Sequence, residues 1–297
     1  AGNEAQTISE KNPAAVISYL AAEAREGILY DAVHNRSFRE ELLAMIARKQ
    51  RIRGTRGELV AYAGKKFYRT ARDAGEAVSR VLDAEQSNTS LLYGKELFFK
   101  LYRRLDEGIN PDLEIGRFLT DEASFPQISP FIGALEYRSP GSEPVVIGVL
   151  QSFIPNQGDA WTFTLDALGR YYEQVLTEIR EVKEIPRIPS SLLEIASQDP
   201  PPRLQELIGG VYLEMAGLLG KRTAELHVAL SFPGGIPAFA PEPFSLLYQR
   251  SLYQSMQSLT KRVFGMLKKL VPSFNKDLKQ QGLEVLSCEK AILERFQ

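Results

Sequence analysis

The sequence predicts an α+β chain: a small antiparallel sheet with one key helix, followed by a half that is mainly helical. Three observations carry that expectation. Between residues 78 and 153, short stretches alternate or run apolar and are bounded by turn signals, as strands are. Within that region Asn110-Pro111-Asp112 is a strong helix start: a capping side chain, a proline in the first turn, and an acid at the positive end of the dipole. After Ile154-Pro155-Asn156-Gln157-Gly158, nearly every segment has the period of an amphipathic helix.

The elements follow in order. The polar start AGNEAQTISEK, residues 1–11, reads as a ragged end or cloning remnant, without the apolar core of a signal peptide. Pro13 opens a helix capped by Asn12, with Ala14, Val16, Ile17, Leu20 and Ala21 on its apolar side, and Gly27 ends it. Ile28–Asp31 is short and apolar. Ser37 caps a second helix, Phe38–Lys49, with Phe38, Leu42, Met45 and Ile46 at helical spacing. Arg51–Arg53 and Glu58–Ala63 flank Gly-Thr-Arg-Gly, a hairpin signal, and Lys66–Thr70 reads as a further strand. Ser79–Glu85, Thr89–Tyr93 and Leu97–Tyr102 are strands. Gly94-Lys95 suits a two-residue turn, with glycine where positive φ is needed. Phe131–Arg138 and Val145–Phe153 form another hairpin around Ser-Pro-Gly-Ser. Asp159–Ile179, Leu204–Leu230 and Phe244–Leu270 are long amphipathic helices. Pro186–Pro202 and Phe232–Pro243 are proline-rich connectors, and Gly282–Phe296 is a last helix. The expected organisation is thus 1–11 as a loose end, 12–77 as a helix-and-sheet cap, 78–155 as the main sheet lobe and 156–297 as the helical part.

Composition excludes several classes. At 297 residues the chain can bury a full core, and 44% hydrophobic with 25% charged residues is ordinary for a globular protein. A net charge of −1 imposes no global field toward nucleic acid or an anionic membrane. No stretch approaches the roughly 20 apolar residues of a membrane span. Cys288, the single cysteine, excludes an internal disulfide and fits a reducing cytoplasm; it reads as a small apolar helix residue rather than a nucleophile. His34 and His227 stand apart without a carboxylate or cysteine cluster, so metal-site spacing is absent, and there is no Gly-x-Ser-x-Gly, Walker A or Gly-x-Gly-x-x-Gly.

What chemistry there is lies around Lys100. Alternation along Phe98-Phe99-Lys100-Leu101-Tyr102 puts Phe98, Lys100 and Tyr102 on one sheet face. A lysine among large apolar residues is costly to desolvate unless an anion meets it. A strand lysine followed by a helix glutamate, here Glu114, is how kinase-like folds grip ATP phosphates. The bland alternatives are a lysine snorkelling from an edge and a solvated acid favouring a helix N-terminus. Gln86-Ser87-Asn88-Thr89-Ser90 occupies the place of a phosphate loop but has no glycine; it reads equally as a phosphate cradle or a polar turn. Gln151-Ser152-Phe153-Ile154 is either a hinge whose backbone meets adenine or the end of a strand. Asp159 reads as a helix cap. Trp161 reads as core, with stacking on a sugar ring as the alternative. Nine basic residues, Arg48, Lys49, Arg51, Arg53, Arg56, Lys65, Lys66, Arg69 and Arg72, face one acid, Glu58, between residues 46 and 72. That is a polyanion face or a solvated hairpin, and the near-zero net charge favours the second.

Several long blocks resemble the maltokinase family: Ala84–Phe118, FIGALEYR from Phe131, VLQSFIPNQGDAW from Val149, TLDALGRYY from Thr164, LGKRTAELHVAL from Leu219 and APEPFSLLYQRSLYQSMQSLTKR from Ala240. The resemblance implies an aminoglycoside-kinase-like fold behind an N-terminal cap, with a protein-kinase-like N-lobe at 78–155 and an incomplete C-lobe at 156–297. It implies ATP and Mg²⁺ as cofactors and maltose as the sugar phosphorylated at its reducing end, in α-glucan metabolism, often by a kinase fused to trehalose synthase. It places the nucleotide lysine and its glutamate on Lys100 and Glu114, the phosphate turn on Ser87, Asn88, Thr89 and Ser90, and the adenine hinge on Gln151, Ser152, Phe153 and Ile154.

The family's His-Gly-Asp catalytic loop and Asp-Phe-Glu metal site occur nowhere in these residues. The expectation is therefore a maltokinase piece without its catalytic acids, inactive alone and prone to self-association through uncovered apolar helix faces. The competing expectation is a non-catalytic module that docks on a partner enzyme or polyanion through the basic cap.

Overall fold

The computed structural model describes residues 3–22, 25–70, 78–82, 88–179, 191–231 and 236–296. The chain opens with helix α1 (Asn3–Lys11), then a hairpin of β1 (Val16–Ala22) and β2 (Arg25–Tyr30), and then α2 (Arg36–Ala47). There follow β3 (Arg51–Arg53), β4 (Glu58–Ala63), a short α3 (Phe67–Thr70), β5 (Ser79–Val81), β6 (Asn88–Tyr93), β7 (Leu97–Tyr102), α4 (Pro111–Asp121), β8 (Phe131–Arg138) and β9 (Val145–Ser152).

The first thirty residues depart most from expectation. The polar start is helical, with Ile8 buried. The helix expected after Pro13 is a single 3-10 turn followed by β1. Val16 and Ile17 are β-branched and favour extended backbone, and Ile28–Tyr30 pairs with Val16, Ser18 and Tyr19 across a bulge at Ile17. At Lys66–Thr70 a turn of helix replaces the expected strand. Asn35, not Ser37, caps α2, its side chain accepting from the Phe38 N–H at 2.9 Å. Tyr93 pairs with Leu97, so the turn at Gly94 (φ 59°) holds three residues rather than two.

Seven strands form one antiparallel sheet in the order β3-β4-β8-β9-β7-β6-β5. The strands expected in a separate cap therefore belong to the main sheet. Six rungs, from Glu58↔Arg138 to Ala63↔Gly133, join β4 to β8. Both faces are covered. On one, Leu42, Leu43, Met45 and Ile46 of α2 pack on Leu91, Phe99, Leu135 and Leu150. On the other, Leu113 of α4 packs on Phe131, Ala134, Val146 and Val149. Burial alternates along β7, with Leu97, Phe99 and Leu101 buried toward α2 and Phe98, Lys100 and Tyr102 half-buried toward α4, as the sequence pattern predicts.

Arg39 fastens α2 to the far side of the sheet. It is 8% exposed and donates to the Val33 carbonyl (2.7 Å) and to the hydroxyl and carbonyl of Ser79 (3.0 Å each), while its own carbonyl accepts from the Tyr93 hydroxyl at 2.7 Å. Burial pushes its pKa down, but a guanidinium stays charged in proteins, so these neutral acceptors carry the cost of burying it.

The remaining helices of this first compact unit, residues 1–239, are α5 (Ala160–Glu178), α6 (Leu192–Ala196), α7 (Pro202–Ile208) and α8 (Gly210–Leu230). Asp159 caps α5, accepting from the Thr162 N–H at 2.7 Å. Gly209, at φ 89°, splits the single helix expected over Leu204–Leu230. Trp161 is 72% exposed, not core. Residues 180–190, which include the start of the first proline-rich connector, lie outside the described residues. The second unit, residues 240–297, holds α9 (Leu246–Leu270), α10 (Lys276–Ser287) and α11 (Glu289–Glu294) around Phe264 and Val271, with Lys268 bonded to Glu289 at 2.7 Å. The last expected helix is thus two, broken at an exposed Cys288. Among the described residues no helix is long and apolar enough to cross a membrane.

Gly133 tests how closely α2 must approach the sheet. A Cβ there would lie 2.5 Å from Ile46 Cγ2 and 2.8 Å from the Tyr62 carbonyl, so Gly133→Ala should cost about 1–3 kcal/mol in denaturant unfolding. Gly169 in α5 has open space, and Gly169→Ala should be neutral or stabilising by up to about 1 kcal/mol.

Candidate functional site: a lysine cleft under helix α4

The sheet register sets the site. Ser90 stands opposite Lys100, and Lys100 opposite Val149; Phe98 stands opposite Gln151. Directly opposed residues share a face, so Ser90, Phe98, Lys100 and Gln151 all project toward α4. Asn110 starts that helix, its side chain accepting from the Leu113 N–H at 3.2 Å, with Pro111 in the first turn. Between sheet and helix lies a cleft of about 370 Å³ lined by Ser90, Phe98, Lys100, Asp112, Ile115, Gly116 and Gln151, among others.

Lys100 lies on the same sheet face as α4, but its partner there is not Glu114. The Lys100 ammonium donates to Asp112 Oδ2 at 2.7 Å, and the Tyr102 hydroxyl donates to the same oxygen at 2.7 Å. Glu114 lines a different cavity on the other flank of α4. Helix period explains the choice. Asp112, Ile115 and Gly116 form one stripe, and Leu113, Glu114, Arg117 and Phe118 form the next. Gly116 lies on the cleft stripe, where a Cβ would make ordinary contact with Gln151 Nε2 at 3.8 Å. The signal in the sequence is helix phase, which puts Asp112 on one stripe with Ile115 and Gly116 and Glu114 on the neighbouring one.

The electrostatics follow from the contacts. Burial pushes the Asp112 carboxyl up, but the hydrogen bonds from Lys100 and Tyr102 outweigh it and hold the pKa below the ordinary carboxylate value. Burial pushes the Tyr102 hydroxyl up, and its bond to Asp112 adds to this, so it stays a neutral donor.

The other expected site residues divide. Ser90 and Gln151 line the cleft. Thr89 points to the opposite face, where its hydroxyl accepts from Arg103 Nε at 2.7 Å. Asn88, opposite Tyr102, is on the α4 face. Ser87 lies outside the described residues. At the expected hinge the Phe153 N–H donates to the Glu96 carbonyl at 2.7 Å, and the Ser152 N–H to the Pro130 carbonyl at 3.0 Å. The Ser152 carbonyl accepts from the Ser129 hydroxyl. These backbone groups, expected to face adenine, are thus bonded within the chain. In the basic stretch, Arg48, Arg51 and Lys65 pair with Glu41, Glu58 and Glu122, and Arg72 lies outside the described residues. No group of three or more His, Cys, Asp or Glu placed to hold a metal occurs among the described residues.

No protein-family model matches the chain. Among solved structures it is similar to a glucosamine kinase in complex with glucosamine, ADP and inorganic phosphate: TM-score 0.52 and 16% identity, over 93% of this chain and 51% of that one. Two further glucosamine kinase structures, crystal forms A and B, give TM-scores of 0.51 and 0.50 at 16% and 17% identity, covering 92% and 99% of this chain and 49% and 62% of theirs. The chain has the fold of these sugar kinases and spans about half the length of the first two.

Asp112→Asn should remove the charge pair and leave the fold less stable at neutral pH, whereas Glu114→Gln should change stability little. A carboxylate with a lowered folded pKa contributes above its unfolded pKa, and the contribution is lost as pH falls through the folded value. Wild type and Asp112→Asn should therefore differ at pH 7 and converge as the pH drops below the ordinary carboxylate range. Unfolding midpoints in denaturant across that range read it out. A Glu114→Gln variant that reproduces the acid dependence of Asp112→Asn would assign the pair wrongly.

Proposed function

We propose that this chain is the cap, N-lobe and first C-lobe helices of an ATP-dependent carbohydrate kinase of the maltokinase kind. The observation that carries the proposal is Lys100, held by Asp112 on the helix-facing side of a sheet whose fold matches sugar kinases. The resemblance of the sequence blocks from Ala84 to Arg262 to the maltokinase family is what suggests maltose as the sugar. In this reading 12–77 is the cap, although its strands share the main sheet, 78–155 the N-lobe and 156–297 the first part of the C-lobe. The protein acts in the cytoplasm in α-glucan metabolism, alone or joined to a trehalose synthase.

The residues present fit part of a nucleotide site. The Lys100 ammonium has donors beyond the one that Asp112 accepts, and Ser90 beside it offers a hydroxyl to the same phosphates. Asp112 holds the ammonium in place. Gln151 also lines the cleft. Mg²⁺ would supply charge neutralisation between phosphates, and the chain's 297 residues contain neither the family's Asp-Phe-Glu nor its His-Gly-Asp. Phosphoryl transfer depends mainly on positioning and charge stabilisation. The chain alone is therefore inactive in this reading, and its weak ATP binding is indifferent to Mg²⁺.

Coupled ADP release with maltose, and in parallel with glucosamine, tests the reading. Neither sugar should give turnover with the 297-residue chain, and calorimetry should find ATP binding unchanged by Mg²⁺ and weakened in Lys100→Met. Turnover with maltose in a preparation free of longer species would place the catalytic acids within these residues. Turnover with glucosamine alone would reject the sugar. Exposed apolar side chains such as Leu176 (83%) and Leu193 (84%) should make the chain self-associate in sedimentation velocity.

A further inference from the structure

The second cavity on α4 is larger than the lysine cleft and shares no lining residue with it. Its volume, about 530 Å³, falls within the range of small-molecule sites. Its floor is apolar: Leu113, Phe118 and Val146 are all buried. Phe239 closes one wall, stacked on Phe118 at 3.8 Å between ring centroids and 10° between planes. The chain thus brings an aromatic residue from far along the sequence onto the outer stripe of α4.

The polar part of the lining has a definite charge. Four carboxylates, Glu114, Glu122, Glu136 and Glu143, meet one guanidinium, Arg117. Two of the four are already neutralised. Glu122 pairs with Lys65 at 3.2 Å, and Glu136 pairs with Arg138 at 2.8 Å and accepts from the Tyr62 hydroxyl at 2.8 Å. Burial, reinforced by Glu136, pushes the Tyr62 pKa up, so that wall stays neutral. Glu114, Glu143 and Arg117 make no ion pair among the described residues. Two free carboxylates against one guanidinium leave a balance of one negative charge. Glu143 is held at the rim over Gly108, where a Cβ would lie 2.7 Å from its carboxylate oxygen and φ is 103°. The backbone at Gly108 is thus shaped to admit that carboxylate.

We propose that this cavity is a second ligand site, for an organic ammonium ion with one positive charge and an apolar body. The apolar group would lie against Leu113, Val146 and the Phe118–Phe239 pair, and the ammonium would meet Glu114 and Glu143 at the rim. Carboxylates and aromatic faces both favour a cation, and the residual charge fits one. A multivalent metal does not fit, because the described carboxylates do not converge on a point. An anion would add to the negative balance. The site stands independently of the kinase reading, since it uses neither Lys100 nor any nucleotide.

Calorimetry on the whole 297-residue chain tests it with three probes of one shape: phenethylammonium, phenethyl alcohol and phenylacetate. Phenethylammonium should bind at millimolar concentration or better, the alcohol more weakly, and phenylacetate not detectably. Glu114→Gln and Glu143→Gln should each weaken phenethylammonium about fivefold. Ser90→Ala, in the lysine cleft, should leave it unchanged. Ligand-observed NMR competition with ATP provides a second readout if a variant folds poorly: the ammonium probe should bind undiminished with ATP present. No phenethylammonium binding, equal binding of all three probes, displacement by ATP, or full affinity in both glutamine variants would overturn the proposal.

Discussion

The pairing of β4 with β8 is the constraint on which the architecture rests. It joins the β3–β4 hairpin to the five strands β8, β9, β7, β6 and β5 as one sheet, with β8 and β9 in its interior. Interior strands bury both faces, and β8 is buried through six consecutive residues, Phe131–Glu136. A sheet buried on both sides needs a helix on each. The N-terminal segment supplies one, α2, and the segment between β7 and β8 supplies the other, α4. Gly133 sits in this pairing, where the bare backbone lets Ile46 reach the sheet. Arg39 adds a polar tie at the opposite edge, so the first fifty residues hold the sheet at both ends.

That two-sided cover creates the site. With α2 against one face, the other is left for α4, and the residues of β7 that alternate toward it include a lysine. A charge on an otherwise apolar face must be met by an opposite charge or stay wet. Lys100 does both: it is about one-third exposed, with Asp112 at 2.7 Å. Tyr102, two residues on, reaches the same carboxylate oxygen and orients it. The pair is not a large store of stability, since Asp112 is nearly half exposed and such pairs are worth little. Its consequence is positional: it sets where the ammonium stands and fixes the first turn of α4 to the strand.

Much of this was legible because the signals were local. Asn110-Pro111 announces its helix through a cap and a fixed φ. Alternation along β7 assigns Lys100 its face, and Ser-Pro-Gly-Ser marks the hairpin between β8 and β9. The failures have local causes too. Val16, Ile17, Leu20 and Ala21 satisfy a helical spacing, but a β-branched pair with an extended segment nearby settles as a hairpin. Gly209 adopts a positive φ that ends α7, and nothing in the helical period of its neighbours shows it. The joining of β4 to β8 spans some seventy residues, and single-strand patterns carry no information on such pairings. The partner of Lys100 failed for a different reason. A kinase-like motif points to Glu114 by order along the chain, whereas packing decides which stripe of a helix faces a sheet.

The same packing makes the choice of Asp112 over Glu114 hard to reverse. Two residues along a helix are about 200° apart around its axis, so bringing Glu114 to Lys100 would need a rotation of about 160°. That rotation would lift Leu113 out of the core against Phe131 and Val149 and pull Phe118 away from Phe239. It would also move Gly116 away from Gln151. A small tilt or slide of α4 can lengthen the Lys100–Asp112 bond; it cannot exchange the acid. The helix therefore has two fixed flanks, one carrying Asp112 to the lysine cleft and one carrying Glu114 to the aromatic cavity.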